Sequence, residues 1–237
     1  MDFERMLRYC ALLELNNNRS WFHENHKLYE EAKQDFIDLT DLLKFRIAGL
    51  TTPELSERLL YANAKDMLYR IPRDMRVWKN APPYNPSWRA YIAGDRHAIW
   101  PVGYFYMVAP GGKTHFGTGA WCPDNDWLRR IRTYISENYD RFFDAFLSAG
   151  YPLWEEDGGK LKNVPRGFDP ADPAAEFLKY KEWFVSESFA DGELTSFDAF
   201  ADRVEAAVER MESLRRFFDD AFAQKVHSPW EADFEEN

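Results

Sequence analysis

The chain is poor in cysteine, with only Cys10 and Cys122 in 237 residues, and so holds no disulfide framework. Two thiols without Cys-x-x-Cys spacing read as small core residues of a reduced compartment. No segment approaches the roughly 18 uninterrupted apolar residues that a membrane span needs. The opening Met1-Asp2-Phe3-Glu4-Arg5 shows no basic flank leading into an apolar run, so no secretory signal is visible and the cytoplasm is the expected location. Positive charge is also short. Thirty Lys and Arg against forty Asp and Glu leave a formal charge of −10. This disfavours general nucleic-acid binding, which draws its affinity from basic side chains that neutralise phosphates. No Gly-x-Ser-x-Gly elbow is present. Gly111-Gly112-Lys113-Thr114 imitates the end of a phosphate loop, but Met107 stands where that loop needs its first glycine.

Aromatic residues are plentiful: nineteen Phe, twelve Tyr and nine Trp, more than any stacking site would use, so most are expected in a packed core. Apolar residues at steps of three and four predict helices over 3–15, from Ser20 to Ile47, from about 124 to 135 and, most clearly, over 197–222. Shorter pieces are expected at 141–147 and 173–179. Gly49 and Pro53 are read as ending the second helix. Between these regions the pattern shifts to short β-branched and aromatic runs at 66–71, 88–93, 103–109 and 114–121, with a further extended run at 183–188. Pro110-Gly111-Gly112 joins two of them as a tight turn. The connections leave no room for crossover helices, which excludes a doubly wound parallel sheet. The expected fold is α+β: a single domain over 1–226, with a mainly antiparallel central sheet flanked by N-terminal and C-terminal helices, and an acidic tail at 227–237.

A cationic island stands out on this acidic chain. Lys65, Arg70, Arg73, Arg76, Lys79, Arg89 and Arg96 face only Asp66, Asp74 and Asp95 across the same stretch, and Pro72, Pro82, Pro83 and Pro86 stiffen it. Arg70, Arg73 and Arg76 recur every third residue, with Asp74 placed to orient one guanidinium through a bidentate pair. Convergent guanidiniums suit a phosphate or a carboxylate. The candidate ligand-binding residues are therefore Arg70, Arg73, Asp74, Arg76, Tyr84 and Arg89, with Tyr84 as a hydrogen-bond donor. No catalytic residue, metal site or cofactor is assigned. His23, His26 and Glu30 lack the spacing of a known zinc motif and have no further ligand to join them. The alternative reading is a noncatalytic module that docks a partner protein through these arginines, with Trp78 and Trp88 as exposed anchors.

Four blocks carry a family likeness: Asn16-Asn17-Asn18-Arg19-Ser20-Trp21-Phe22, with Lys27 and Tyr29; Tyr69-Arg70-Ile71-Pro72-Arg73-Asp74-Met75-Arg76; Pro83-Tyr84-Asn85-Pro86-Ser87-Trp88-Arg89-Ala90; and Leu161-Lys162-Asn163-Val164-Pro165-Arg166-Gly167-Phe168. With these the chain resembles the DUF2461 family from about Leu12 to Phe218. The resemblance implies a shared fold and lends no activity. After the arginine block the family usually reads Arg-Phe-Ser-x-Asp-Lys, whereas this chain has Arg76-Val77-Trp78-Lys79-Asn80-Ala81, so Asn80 and Ala81 replace an acid and a lysine.

Overall fold

Four strands form one sheet in the computed structural model: β1 (Trp88–Ile92), β2 (Tyr104–Val108), β3 (Thr114–Trp121) and β4 (Glu182–Phe189), paired in that order and antiparallel throughout. The structure describes residues 2–93, 97, 100–122, 124–154 and 159–223. The expected acidic tail at 227–237, and Asp95 and Arg96 of the island, lie outside the described residues. At the β2–β3 turn Gly111 and Gly112 take φ of 78° and 68°, which glycine adopts without steric cost. The Asp191 carboxylate accepts from both of their N–H groups, at 2.8 and 2.9 Å.

Helices α1 (Phe3–Leu15), α2 (Arg19–Glu24), α3 (His26–Ala48), α4 (Pro53–Tyr61) and α5 (Ala64–Met67) precede the sheet. Helices α6 (Asn125–Glu137), α7 (Tyr139–Ala149) and α8 (Ala175–Leu178) separate β3 from β4, and α9 (Phe197–Ala223) follows it. The antiparallel sheet flanked by helices from both ends of the chain is the α+β arrangement that the change of period predicts. Strand alternation sends Trp88, Tyr106, Phe116 and Trp183 to the helix side, where all four are buried. Trp88 packs on Tyr9 of α1 and Phe36 of α3, and Trp183 meets Phe218 of α9. Each such side chain contributes on the order of 1.5–3 kcal/mol by leaving water. The expectation that most of the aromatic residues serve the core holds.

One polar cluster crosses this core. Arg215 of α9 is fully buried, and its guanidinium donates to both Glu212 oxygens at 2.7 and 2.8 Å, to Asp219 at 3.3 Å and to the Val102 carbonyl at 2.7 Å. Tyr104 donates to Glu212 at 2.6 Å, and Asp219 accepts from the Val102 N–H at 2.8 Å. The cluster ties the last helix to the start of β2.

Three expectations are corrected. The helix read from Ser20 to Ile47 is two helices, broken at Asn25, whose backbone at φ −105° and ψ 21° caps one and starts the next. Gly49 caps the end of α3 as expected, whereas Pro53 begins α4, since the missing N–H of proline is harmless in the first turn. The strand expected at 66–71 is the end of α5 followed by isolated bridges, Leu68 to Ala90 and Pro72 to Tyr84. The first bridge lays Leu68 and Tyr69 along the outer edge of β1, and the second pairs Pro72 with the segment that leads into it.

Candidate anion-binding site

The sheet face turned away from the helices begins with Arg89 and Tyr91 on β1 and continues with Phe105 and Met107 on β2. Across it run the registered rows Arg89–Met107–His115–Ser188 and Tyr91–Phe105–Gly117–Ser186. Each outer edge of the sheet carries a short pairing segment, and each segment lends one ring to this face. At the β1 edge the Tyr69 N–H donates to the Arg89 carbonyl at 2.8 Å, and the Tyr69 ring lies 6.1 Å from Phe105. At the β4 edge Leu153 bridges Val185, the Trp154 N–H donates to the Phe184 carbonyl at 2.8 Å, and the Trp154 ring meets His115 at 4.8 Å and Phe184 at 5.5 Å. The result is a trough floored by Phe105, Met107, His115 and Phe184, with Tyr69 and Trp154 as its walls. Glycine is required at 117, where a Cβ would fall 2.1 Å from the Val185 carbonyl and 2.7 Å from the Phe184 ring. That ring occupies the space the glycine leaves.

Arg89 stands at one side of the trough. Its Nη2 donates to the Arg70 carbonyl at 3.3 Å, and its Nε is buried without a hydrogen-bond partner. With the Asn85 amide turned to suit its neighbours, the Asn85 oxygen accepts from both terminal nitrogens of Arg89, at 3.1 and 3.2 Å. Its guanidinium lies 5.7 Å from the Tyr69 ring centre. Arg73 comes close on the same side, held by its backbone N–H to the Pro83 carbonyl at 2.9 Å and by its Nη1 to the carbonyls of Pro82, at 2.8 Å, and Tyr84. Among the described residues neither arginine has a carboxylate partner. Burial lowers the Arg89 pKa, and repulsion from Arg73 lowers it further. Two cations held together by neutral oxygens form a site of positive potential.

The other predicted residues are placed differently. Asp74 binds Arg76 in a bidentate pair, Nε to Oδ1 at 3.0 Å and Nη2 to Oδ2 at 2.7 Å, which holds the Asp74 carboxyl below its usual pKa. The pair anticipated at Asp74 therefore forms with Arg76, and it takes that guanidinium out of the cluster. Arg70 is exposed and contributes its carbonyl to Arg89. The buried Tyr84 ring stacks on Phe22 at 4.3 Å, and its carbonyl receives Arg73. The reading of Trp88 as an exposed anchor is overturned: it is buried, and its indole N–H donates to the Met6 carbonyl at 3.2 Å, because strand alternation turns it inward. Trp78 is exposed, as is its neighbour Val77. Asn80 and Ala81 follow them in the same loop, where the Ala81 N–H closes a turn on the Trp78 carbonyl at 3.2 Å.

Residue-type reasoning overlooked Asn17 and Asn85. Asn17 accepts from the Tyr84 N–H at 3.0 Å and donates to the Tyr84 carbonyl at 2.9 Å. Their recurrence in the quoted blocks was the available signal. In the fourth block, Gly167 takes φ 97° inside a turn closed by the Phe168 N–H on the Pro165 carbonyl at 3.2 Å, which accounts for its Pro-x-Gly-Phe order. Two cavities, of about 320 and 490 Å³, lie beside α1 and the 191–198 segment, and no arginine of the island lines either. Among the described residues no group of three His, Cys, Asp or Glu side chains is placed to hold a metal ion, and no helix is long and apolar enough to cross a membrane.

A family model described as "Conserved hypothetical protein (DUF2461)" matches residues 5–217. The chain belongs to the DUF2461 family, and the match takes in the sheet, the arginine segment and most of α9. No curated protein and no solved structure matches it.

Proposed function

We propose that the chain binds a small anion, a phosphate or carboxylate, between Arg73 and Arg89. The observation that carries this is the buried Nε of Arg89, which has no hydrogen-bond partner among the described residues and sits beside a second guanidinium, with no carboxylate among those residues to compensate either. Such an arrangement costs stability when empty, and a bound anion relieves the repulsion between the two guanidiniums. Arg73 and Arg89 are the direct ligands in this reading. Asn85, the Arg70 carbonyl and the Tyr84 carbonyl aim them, and the Asp74–Arg76 pair stiffens the adjoining loop. Two free thiols, Cys10 and Cys122, suit the reducing cytoplasm as the place of action.

The test is a thermal-shift series across phosphate, pyrophosphate and small carboxylates, with Arg73→Ala and Arg89→Met beside the native chain. A melting temperature that rises with anion concentration, and fails to rise in both variants, is the expected result. An equal rise in all three proteins removes the assignment.

A second reading, a docking module for a protein partner, draws on Val77 and Trp78, which are 74% and 57% exposed beside the Asp74–Arg76 pair. Trp78→Ala would abolish partner capture in that case and leave the anion response unchanged.

A further inference from the structure

We infer that the anion carries a planar ring, and that this ring lies in the trough between Tyr69 and Trp154; the inference rests on the anion reading above. The trough starts at the arginine. Met107 is the direct cross-strand partner of Arg89, and His115 is the partner of Met107, so the floor spans two inter-strand spacings, about 10 Å, from β1 to β3. Ring contacts line the way: Tyr69 to Phe105 at 6.1 Å, Phe105 to His115 at 5.6 Å and His115 to Trp154 at 4.8 Å.

The two faces of the sheet differ in how far these groups are covered. On the helix side Tyr104, Tyr106 and Phe116 are fully buried. In the trough His115 is buried beneath Trp154, but Phe105, Met107, Phe184 and Tyr69 are only half-buried, and Trp154 is 41% exposed. Were Tyr69 and Trp154 present only to seal the sheet, Phe105, Met107 and Phe184 between them would be as dry as the opposite side. Flat aromatic surfaces and a polarisable thioether favour a flat guest over a flexible chain, since stacking adds to area burial. The chemical class is thus an aryl or heteroaryl compound with one phosphate or carboxylate group, its charge at Arg73 and Arg89 and its ring towards His115.

The full chain would be titrated calorimetrically with phenyl phosphate against inorganic phosphate, and with benzoate against acetate; the pair that binds identifies the acid group. The ring-bearing member is expected to bind about tenfold or more tightly. In Trp154→Ala, whose side chain lies at the sheet margin, this preference should shrink while inorganic phosphate binds as before. Arg89→Met should lose both members, and the melting temperature of each variant reports whether it is folded. Equal affinity within both pairs, or an unchanged preference in folded Trp154→Ala, overturns the ring and leaves the anion reading standing. No binding by any of the four compounds overturns both.

Discussion

Asn17 holds both polar groups of the Tyr84 peptide, accepting from its N–H at 3.0 Å and donating to its carbonyl at 2.9 Å across 67 residues of chain. The same carbonyl receives Arg73. One side chain from the α1–α2 connection therefore sets the height of the loop that positions the anion site.

Asn17→Ala is expected to destabilise the fold by about 1–3 kcal/mol, because the part-buried Tyr84 peptide loses two partners at once. Anion affinity should fall with it, since the Arg73 acceptor is no longer fixed. Urea unfolding and a phosphate titration on the same preparation measure the two effects.

Arg89→Met should separate function from stability. Among the described residues the side chain has no carboxylate to leave behind, so its removal is expected to change the unfolding free energy by less than about 1 kcal/mol, or to raise it. The anion response should vanish. A loss of several kcal/mol would show instead that Arg89 is a structural pin.

The opposite is expected at Arg215. Arg215→Ala leaves Glu212 and Asp219 in the interior without their cation, and a loss of about 3–5 kcal/mol follows. The melting temperature should drop sharply, and by the same amount with and without added anion.

The protein should also be sensitive to alkali. Burial pushes the Cys122 thiol and the Tyr91 hydroxyl up to about 12, and Cys10, Tyr104 and Tyr106 higher still. Below the ordinary values of 9.0 for cysteine and 10.0 for tyrosine these groups keep their protons in both states and add no pH dependence. Above them the unfolded chain loses protons that the folded chain retains. Stability should therefore fall as pH rises from about 9 towards 12, by up to about 1.4 kcal/mol per pH unit for each group. Tyrosinate absorbance followed with circular dichroism should show ionisation and unfolding arriving together.

Much of this architecture could be read from residue patterns. The 3–15 helix, the 114–121 strand and the glycine turn before it were written in apolar spacing and in Gly111-Gly112, where local chemistry and tertiary structure agree. Asn18 caps α2 by accepting from the Trp21 N–H at 3.0 Å. Proline 53 was ambiguous because the same ring ends one helix and opens another. Residues 66–71 misled because their short apolar run suits a strand, whereas Asn63 caps a turn of helix there by accepting from the Lys65 N–H at 3.0 Å. The arginine cluster was visible as composition, but its division was not. Spacing alone does not say that Asp74 takes Arg76 and leaves Arg73 to carbonyls, because that depends on a loop folding back onto residues 82–85. Tyr69 and Trp154 were out of reach for the same reason, since they meet the trough only after both sheet margins are paired.

Those paired margins also bear on how the molecule behaves in a crowd. A bare outer strand offers its row of amides and carbonyls to any passing chain. Here Tyr69 takes up the Arg89 carbonyl on one side and Trp154 takes up the Phe184 carbonyl on the other, so a foreign strand must first evict one of them. The two residues that frame the trough also guard the sheet against self-association.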